Sequence, residues 1–370
     1  MSGAPSVEHE LALSHRAYVE LVFAVPLILA GLLEAGVALG SDVWDRRRLI
    51  VAGQGVLAIA LAFVAWTTSG WGLALGLALA GAASGVACGA AEATLVLSHP
   101  GGPDRAMVRW ALFASVGDVL APLVAASAVA LGRSYRGAML AVAVVVGVQC
   151  VTSILAPARP SGELARDPEP PSESMRSALA RASRNPRLWA WLFAAASCTL
   201  LDELVVAVAV LRMAREQGVS DAVAAAAAVT FSLGSVAGAA VTDVAVQRTS
   251  PRTVLLGSAL ACAACLLALL TAGSALGSCV ALLSVGLTCA PHHALAQARA
   301  YQELPDRPGT VQAIARLFVV VDVLAPLALG MAADRWGLRV ALGLLLAQPA
   351  AIGVCAAVLR DRRTRPLASR

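Results

Sequence analysis

Apolar runs of about twenty residues follow one another along nearly the whole chain, separated by short polar turns. In order they predict spans near 17–40, 49–69, 71–97, 108–131 and 137–157, and, after a polar gap, 187–211, 221–245, 253–273, 275–298, 310–332 and 338–359. In helical form about twenty residues cross roughly 30 Å of hydrocarbon. Alternation at strand length is absent, which argues against a barrel. The pattern therefore predicts an all-α polytopic membrane protein with about 11 transmembrane helices. The first run is longer than a signal-peptide core and its flank, MSGAPSVEHELALSHR, is acidic, so the run is expected to stay in the mature protein.

Composition sharpens this. With 59% apolar and 14% charged residues and a mean hydropathy of +0.77, lipid is the expected solvent. All eight cysteines (Cys88, Cys150, Cys198, Cys262, Cys265, Cys279, Cys289 and Cys355) fall inside spans. The Cys-Ala-Ala-Cys pair at 262–265 has a redox or metal reading, but in an apolar helix small packing residues are the better one. No disulfide, metal or cofactor is predicted.

The basic residues are arginine throughout, with no lysine among the 28. If the loops after the odd-numbered spans face the cytoplasm, only Arg16, Arg133, Arg136, Arg212, Arg215, Arg335 and Arg339 lie on the other side. The positive-inside rule then places DVWDRRR, the central loop and the carboxy-terminal tail in the cytoplasm, in a multi-pass protein of the cytoplasmic (inner) membrane. The net charge of +5 reflects that topology, and no nucleic-acid partner is implied.

The one long polar stretch, 158–186, is proline-rich and mixed in charge, with a short amphipathic helix expected at 173–183. It divides the chain into an amino-terminal bundle (1–157, five spans), a cytoplasmic linker (158–186) and a carboxy-terminal bundle (187–370, six spans). The bundles look like copies. Asp118-Val-Leu-Ala-Pro122 returns as Asp322-Val-Leu-Ala-Pro326, Pro103-Asp104-Arg105 as Pro305-Asp306-Arg307, and Asp42 at the end of the first span matches Asp243 at the end of the seventh. Three anchors in one order at nearly one offset indicate a duplication. An even number of spans separates each pair, so the copies run in the same direction through the membrane.

Two such bundles, a polar central loop and GVALGSDVWDRRRLIVAG at 36–53 resemble the major facilitator superfamily. The stretch is similar to the family's loop between its second and third helices: Asp42, Arg46 and Arg47 fit the acidic and paired basic positions, while Val43, Asp45 and Ala38 depart from the pattern. In that register the family's first helix is missing, so either the start site lies upstream or this is an eleven-span variant.

Ionisable side chains within spans cost about 2.5–3.5 kcal/mol each on insertion scales, which makes each a functional candidate. They are Glu34, Glu92, Asp118, Asp202, Glu203, His292, His293 and Asp322; the second, fifth, eighth and eleventh spans carry none in their interiors. The resemblance places those four spans against lipid, Glu92, Asp202, Glu203, His292 and His293 around a central cavity, and Glu34, Asp118 and Asp322 on gating helices. Glu92, Asp202, Glu203, His292 and His293 are thus the transport and proton-coupling candidates. Glu34, Asp42, Arg46, Arg47, Asp118 and Asp322 are the gating or inter-bundle candidates.

Asp202–Glu203 leads the first group, because adjacent residues point about 100° apart on a helix and a carboxylate in low dielectric can load and release a proton near neutrality. Its bland alternative is a pair hydrated at the outer face. The histidines after Pro291 suit protons or an anion better than a metal, since adjacent histidines diverge around a helix. Asp118 and Asp322 serve equally well as gates or as acids satisfying the turn opened by a proline four residues on. Arg109 and Arg316 read as interface anchors, and Gly81, Gly85, Gly89, Gly234 and Gly238 as small-residue packing faces.

No catalytic constellation or nucleotide loop is present, so the expectation is a transporter and not an enzyme: a monomer that binds a small molecule and protons in the lipid bilayer and exports the molecule by alternating access. The alternatives are an importer of a sugar or organic acid, a non-transporting sensor or partner protein derived from a truncated transporter, and, least favoured, an intramembrane hydrolase.

Overall fold

The computed structural model describes residues 21–22, 25–130, 135–156 and 174–359. The amino-terminal flank with Arg16, the loop with Arg133, most of the predicted linker and the arginine-rich tail lie outside the described residues. Helix accounts for nearly every described residue outside the turns. The helices are α1 Val25–Gly40, α2 Arg46–Trp66, α3 Gly70–Ser98, α4 Gly102–Ala130, α5 Tyr135–Leu155, α6 Met175–Ser183, α7 Pro186–Ala196, α8 Val205–Glu216, α9 Asp221–Arg248, α10 Pro251–Thr271, α11 Ala275–Glu303, α12 Pro308–Ala315, α13 Val319–Trp336, α14 Leu338–Leu344 and α15 Ala347–Val358. A π-helical segment, Leu200–Leu204, precedes α8, and a 3₁₀ turn, Arg316–Phe318, precedes α13.

Among the described residues nine helical stretches of 21 to 31 residues are long and apolar enough to cross a membrane, and α1 is a shorter apolar helix. Their starts carry the expected chemistry. Asp45 caps α2 by accepting from the Arg47 and Arg48 amides, Ser69 caps α3, and Ser250 caps α10 with Pro251 in its first turn. The amphipathic helix expected in the central loop is α6, capped by Ser174, with Ala178 and Ala182 buried.

The chain divides into two compact units. The first comprises the described parts of Met1–Ala106, Val116–Asn185 and Tyr301–Val323; the second comprises Met107–Ser115, Pro186–Ala300 and the described part of Leu324–Arg370. The unit boundaries therefore cut α4, α11 and α13, and the segment 301–323 packs with the amino-terminal helices.

In the first unit α3 packs between α1 and α2 through small side chains: Ala74, Ala83, Ala87, Ala90 and Ala93 are all buried. Helix α5 lies on α2 with most of its surface uncovered, as a lipid-facing helix requires: Val144, Val145, Ile154 and Leu155 are exposed. The second unit has a conventional apolar core from Leu201, Val205, Met213, Leu266, Leu282 and Leu342. Here α9 crosses α11 so closely that side chains at Gly234 and Gly238 would meet the Leu283 and Leu287 carbonyls.

Arginines tie off helix ends in both units. In the first, Arg47 donates to the carbonyls of Ser153, Ile154 and Ala156 at the end of α5. In the second, Arg252 donates to Ala356 and Ala357 at the end of α15, and buried Arg212 to Leu269 and Ala272 at the end of α10. Carbonyls at a helix end lack partners and carry partial negative charge, which a guanidinium satisfies on both counts. Arg212 thus reads as a structural clasp.

Candidate functional site

The polar residues gather in two places, one in each unit. In the first unit the chain turns between α1 and α2 through Gly40-Ser41-Asp42-Val43-Trp44. The Ser41 hydroxyl donates to the Ala38 carbonyl at 2.7 Å, which fixes the turn and leaves Asp42 buried at 6% exposure. Asp42 Oδ1 accepts from the Gly309 amide at 2.7 Å; Oδ2 accepts from the Thr310 amide at 2.9 Å and the Thr310 hydroxyl at 2.7 Å. Gly309 and Thr310 lie in the first turn of α12, where amides have no partner within the helix, and Arg307, at the cap position, supplies no side-chain cap. Asp42 is therefore an N-cap delivered from another helix, placed where the helix dipole favours an anion. Gly309 permits the approach, since a methyl group there would run into the Ala38 carbonyl and the Ser41 hydroxyl.

Two turns earlier on α1, Glu34 pairs with Arg316 at 2.7 Å; Glu34 is buried and Arg316 is nearly half exposed. Gly85 makes room for the Glu34 carboxylate, because a Cβ on α3 at that position would overlap it. A cavity of about 80 Å³ beside the pair is lined by Glu34, Arg316 and Asp322 with Leu27, Gly31 and Val319. Further along α3, the Glu92 carboxylate accepts from the Tyr301 hydroxyl at 3.1 Å. Gln312 donates to the Gly89 carbonyl at 2.8 Å and approaches the Tyr301 hydroxyl at 2.8 Å. Gln302 donates to Asp104 at 2.9 Å. Four acids from α1, the turn after it, α3 and α4 thus hold one stretch of chain, residues 301–316.

The second place lies along 186–216, where the α-helical ladder breaks between α7 and α8. Asp202 and Glu203 sit on the π segment and both are exposed. Gln348 of α15, fully buried, accepts from the Leu201 amide at 2.9 Å, and its Nε2 lies 3.4 Å from Nδ1 of His292 on α11. His292 is fully buried and His293 is exposed, so the two rings diverge. Among the described residues no group of three or more His, Cys, Asp or Glu is placed to hold a metal ion.

Of the sequence candidates, Glu34, Asp42, Glu92 and Asp322 fall in the first place, together with half-buried Arg46; Asp202, Glu203, His292 and His293 fall in the second. Arg47 is in neither, since it serves the end of α5. Asp118 is exposed on α4, away from both. Arg109 pairs with Asp243 at 3.5 Å within the second unit. Tyr301, Gly309, Thr310, Gln312 and Gln348 carry no charge and did not stand out from sequence. The available signal was an amide or hydroxyl inside an apolar run, which costs free energy unless it has a partner.

A family model described as Major Facilitator Superfamily matches residues 2–319. No curated protein matches the chain. Among solved structures it is similar to the major facilitator superfamily transporter FucP in the outward conformation, with 16% identity, a TM-score of 0.74, and coverage of 97% of this chain and 94% of that one. A second structure, of the E. coli fucose:proton symporter FucP, gives 16% identity, a TM-score of 0.73, and coverage of 98% and 92%. With the family matched over most of its length and the fold shared from end to end, this chain belongs to the major facilitator superfamily of secondary transporters.

Proposed function

We propose that this transporter couples proton movement to the export of a small organic molecule by alternating access, with Asp202 and Glu203 as its proton-carrying acids. The observation that carries the reading is the pair of exposed carboxylates on a π-helical break inside a span-length apolar helix. π-bulges concentrate at functional sites, and intramembrane acids are retained against an insertion cost. Exposed His293 and the Glu92–Tyr301 pair are the next candidates for proton traffic, with buried His292 behind them. The acids of this set suit cationic or neutral substrates better than anions.

In this reading the Asp42 cap on α12 and the Glu34–Arg316 pair, which hold residues 301–316 to the amino-terminal helices, act as a latch on the side that the arginine distribution assigns to the cytoplasm. The central loop and carboxy terminus lie on that side of the inner membrane in this reading, and the amino- and carboxy-terminal bundles are the two rocking bodies.

The test compares the wild type with Asp202→Asn/Glu203→Gln, at matched membrane abundance, in an efflux-deficient bacterium exposed to a broad panel of toxic compounds. Raised tolerance in the wild type that disappears in the double variant supports export and its proton site together. Unchanged tolerance to every compound removes the exporter reading. A second reading, proton-driven import of a sugar or organic acid, is favoured by one observation: a solved structure similar to this chain is a fucose:proton symporter. Labelled-sugar uptake that collapses on adding a protonophore would establish it.

A further inference from the structure

The π segment at 200–204 needs a partner from outside its own helix. In an α-helix the Leu201 amide would bond to the Ser197 carbonyl; instead the chain tightens, with Leu200 bonding to Ser197 and both Leu201 and Asp202 directed at the Cys198 carbonyl. Two amides thus converge on one carbonyl, and Leu201 takes a second acceptor, Gln348 Oε1 at 2.9 Å. Leu201 and Gln348 are both fully buried, so water does not substitute for that bond.

The bond also fixes which way the amide of Gln348 points. Only Oε1 can accept from Leu201, so Nε2 faces His292 Nδ1 at 3.4 Å. An amide nitrogen only donates, so Nδ1 must be the bare nitrogen of a neutral imidazole. One side chain on α15 therefore joins the π segment to α11 through a chain whose donors and acceptors are set in order.

We propose that Gln348 is a positioning residue for Asp202 and Glu203: it holds the π register in which both carboxylates are exposed, and His292 holds Gln348. An added residue rotates the helix by about 100° at that point, so losing the register redirects the two acids. The functional half of this inference rests on Asp202–Glu203 being the proton site; the structural half stands without it.

Hydrogen exchange read by mass spectrometry on the full chain in lipid nanodiscs tests the structural half. In Gln348→Leu, exchange in the peptide covering 198–204 is expected to rise about tenfold or more, while that of α9 stays at the wild-type level. Gln348→Glu, which keeps an acceptor for Leu201, is expected to stay within about threefold of wild type. If Gln348→Leu does not reach the membrane, His292→Leu frees one end of Gln348, and a rise of about threefold is expected. No rise in the variant measured overturns the proposal.

Infrared pH titration of the carboxyl band tests the functional half. The contribution lost in Asp202→Asn/Glu203→Gln should shift its midpoint in Gln348→Leu by about half a pH unit or more. If the double substitution removes no titrating band, the proton-site reading fails while the exchange result still decides the role of Gln348. If the band is present and its midpoint is unmoved in Gln348→Leu, Gln348 holds the helix but does not tune the acids.

Discussion

Asp42 and Asp243, which the sequence repeat aligns, are held very differently. Asp42 is buried and accepts from two backbone amides and a hydroxyl, all within 2.9 Å. Asp243 is partly exposed and has Arg109 at 3.5 Å, with that arginine about half exposed. A short, charge-assisted cap out of water contributes far more than an ion pair that solvent screens and whose side chains must be ordered. Of the two aligned acids, Asp42 is a buried cap and Asp243 is a longer, partly exposed ion pair. The proline-linked acids diverge in the same way, since Asp322 lines the cavity with Glu34 and Arg316 whereas Asp118 is exposed.

The largest effect expected from this comparison is that of Asp42→Ala. It strands three donors at the start of α12 and should lower local stability by about 3 kcal/mol, seen as amide exchange at Gly309 and Thr310 more than about a hundredfold faster. Asp243→Ala should cost less than about 1 kcal/mol in thermal unfolding. Equal costs for the two would show that the buried cap has no advantage over the screened pair. Gly309→Ala comes next, at about 1–3 kcal/mol, because the added methyl pushes α12 away from the turn that carries Asp42.

The Glu34–Arg316 pair should contribute less, since Arg316 is nearly half exposed and its charge is partly screened. A double-mutant cycle with Glu34→Gln and Arg316→Gln is expected to give a coupling of about 1 kcal/mol, and Asp118→Asn should be nearly silent in the same unfolding assay. Coupling indistinguishable from zero would remove this pair from the latch.

The spans and the family were legible because they rest on signals spread over many residues: apolar length and a loop motif. Glu34 and Asp322 were legible as costly charges, and Asp42 as the acid of the loop motif. Their partners were not, because Gln312, Tyr301 and Gln348 gain meaning only from atoms far away in sequence; Tyr301 and Glu92 are 209 residues apart. The π segment was equally hidden. The acceptor that its Leu201 amide finds on Gln348 is 147 residues away, and no local propensity in Leu-Leu-Asp-Glu-Leu encodes that. Arg46 and Arg47 show the limit within a motif: the sequence paired them, but Arg46 lies half-buried near Asp42 while Arg47 reaches outward to α5.

A modest effect, read as the agreement between two substitutions, tests the duplication most directly. Arg47 and Arg252 stand in the first turns of α2 and α10, and each donates to the last carbonyls of the final helix of its own half. Both guanidiniums satisfy backbone oxygens with no partner in their own helix, and both are at least partly solvated. Each should therefore contribute only about 1 kcal/mol. Because the geometry is shared, Arg47→Ala and Arg252→Ala should lower thermal stability by amounts that agree within about 0.5 kcal/mol and should add in the double variant, the sites being independent. Unlike the aspartates, these clasps have not diverged, so a large difference between the two substitutions would mean that the halves no longer share this part of their construction.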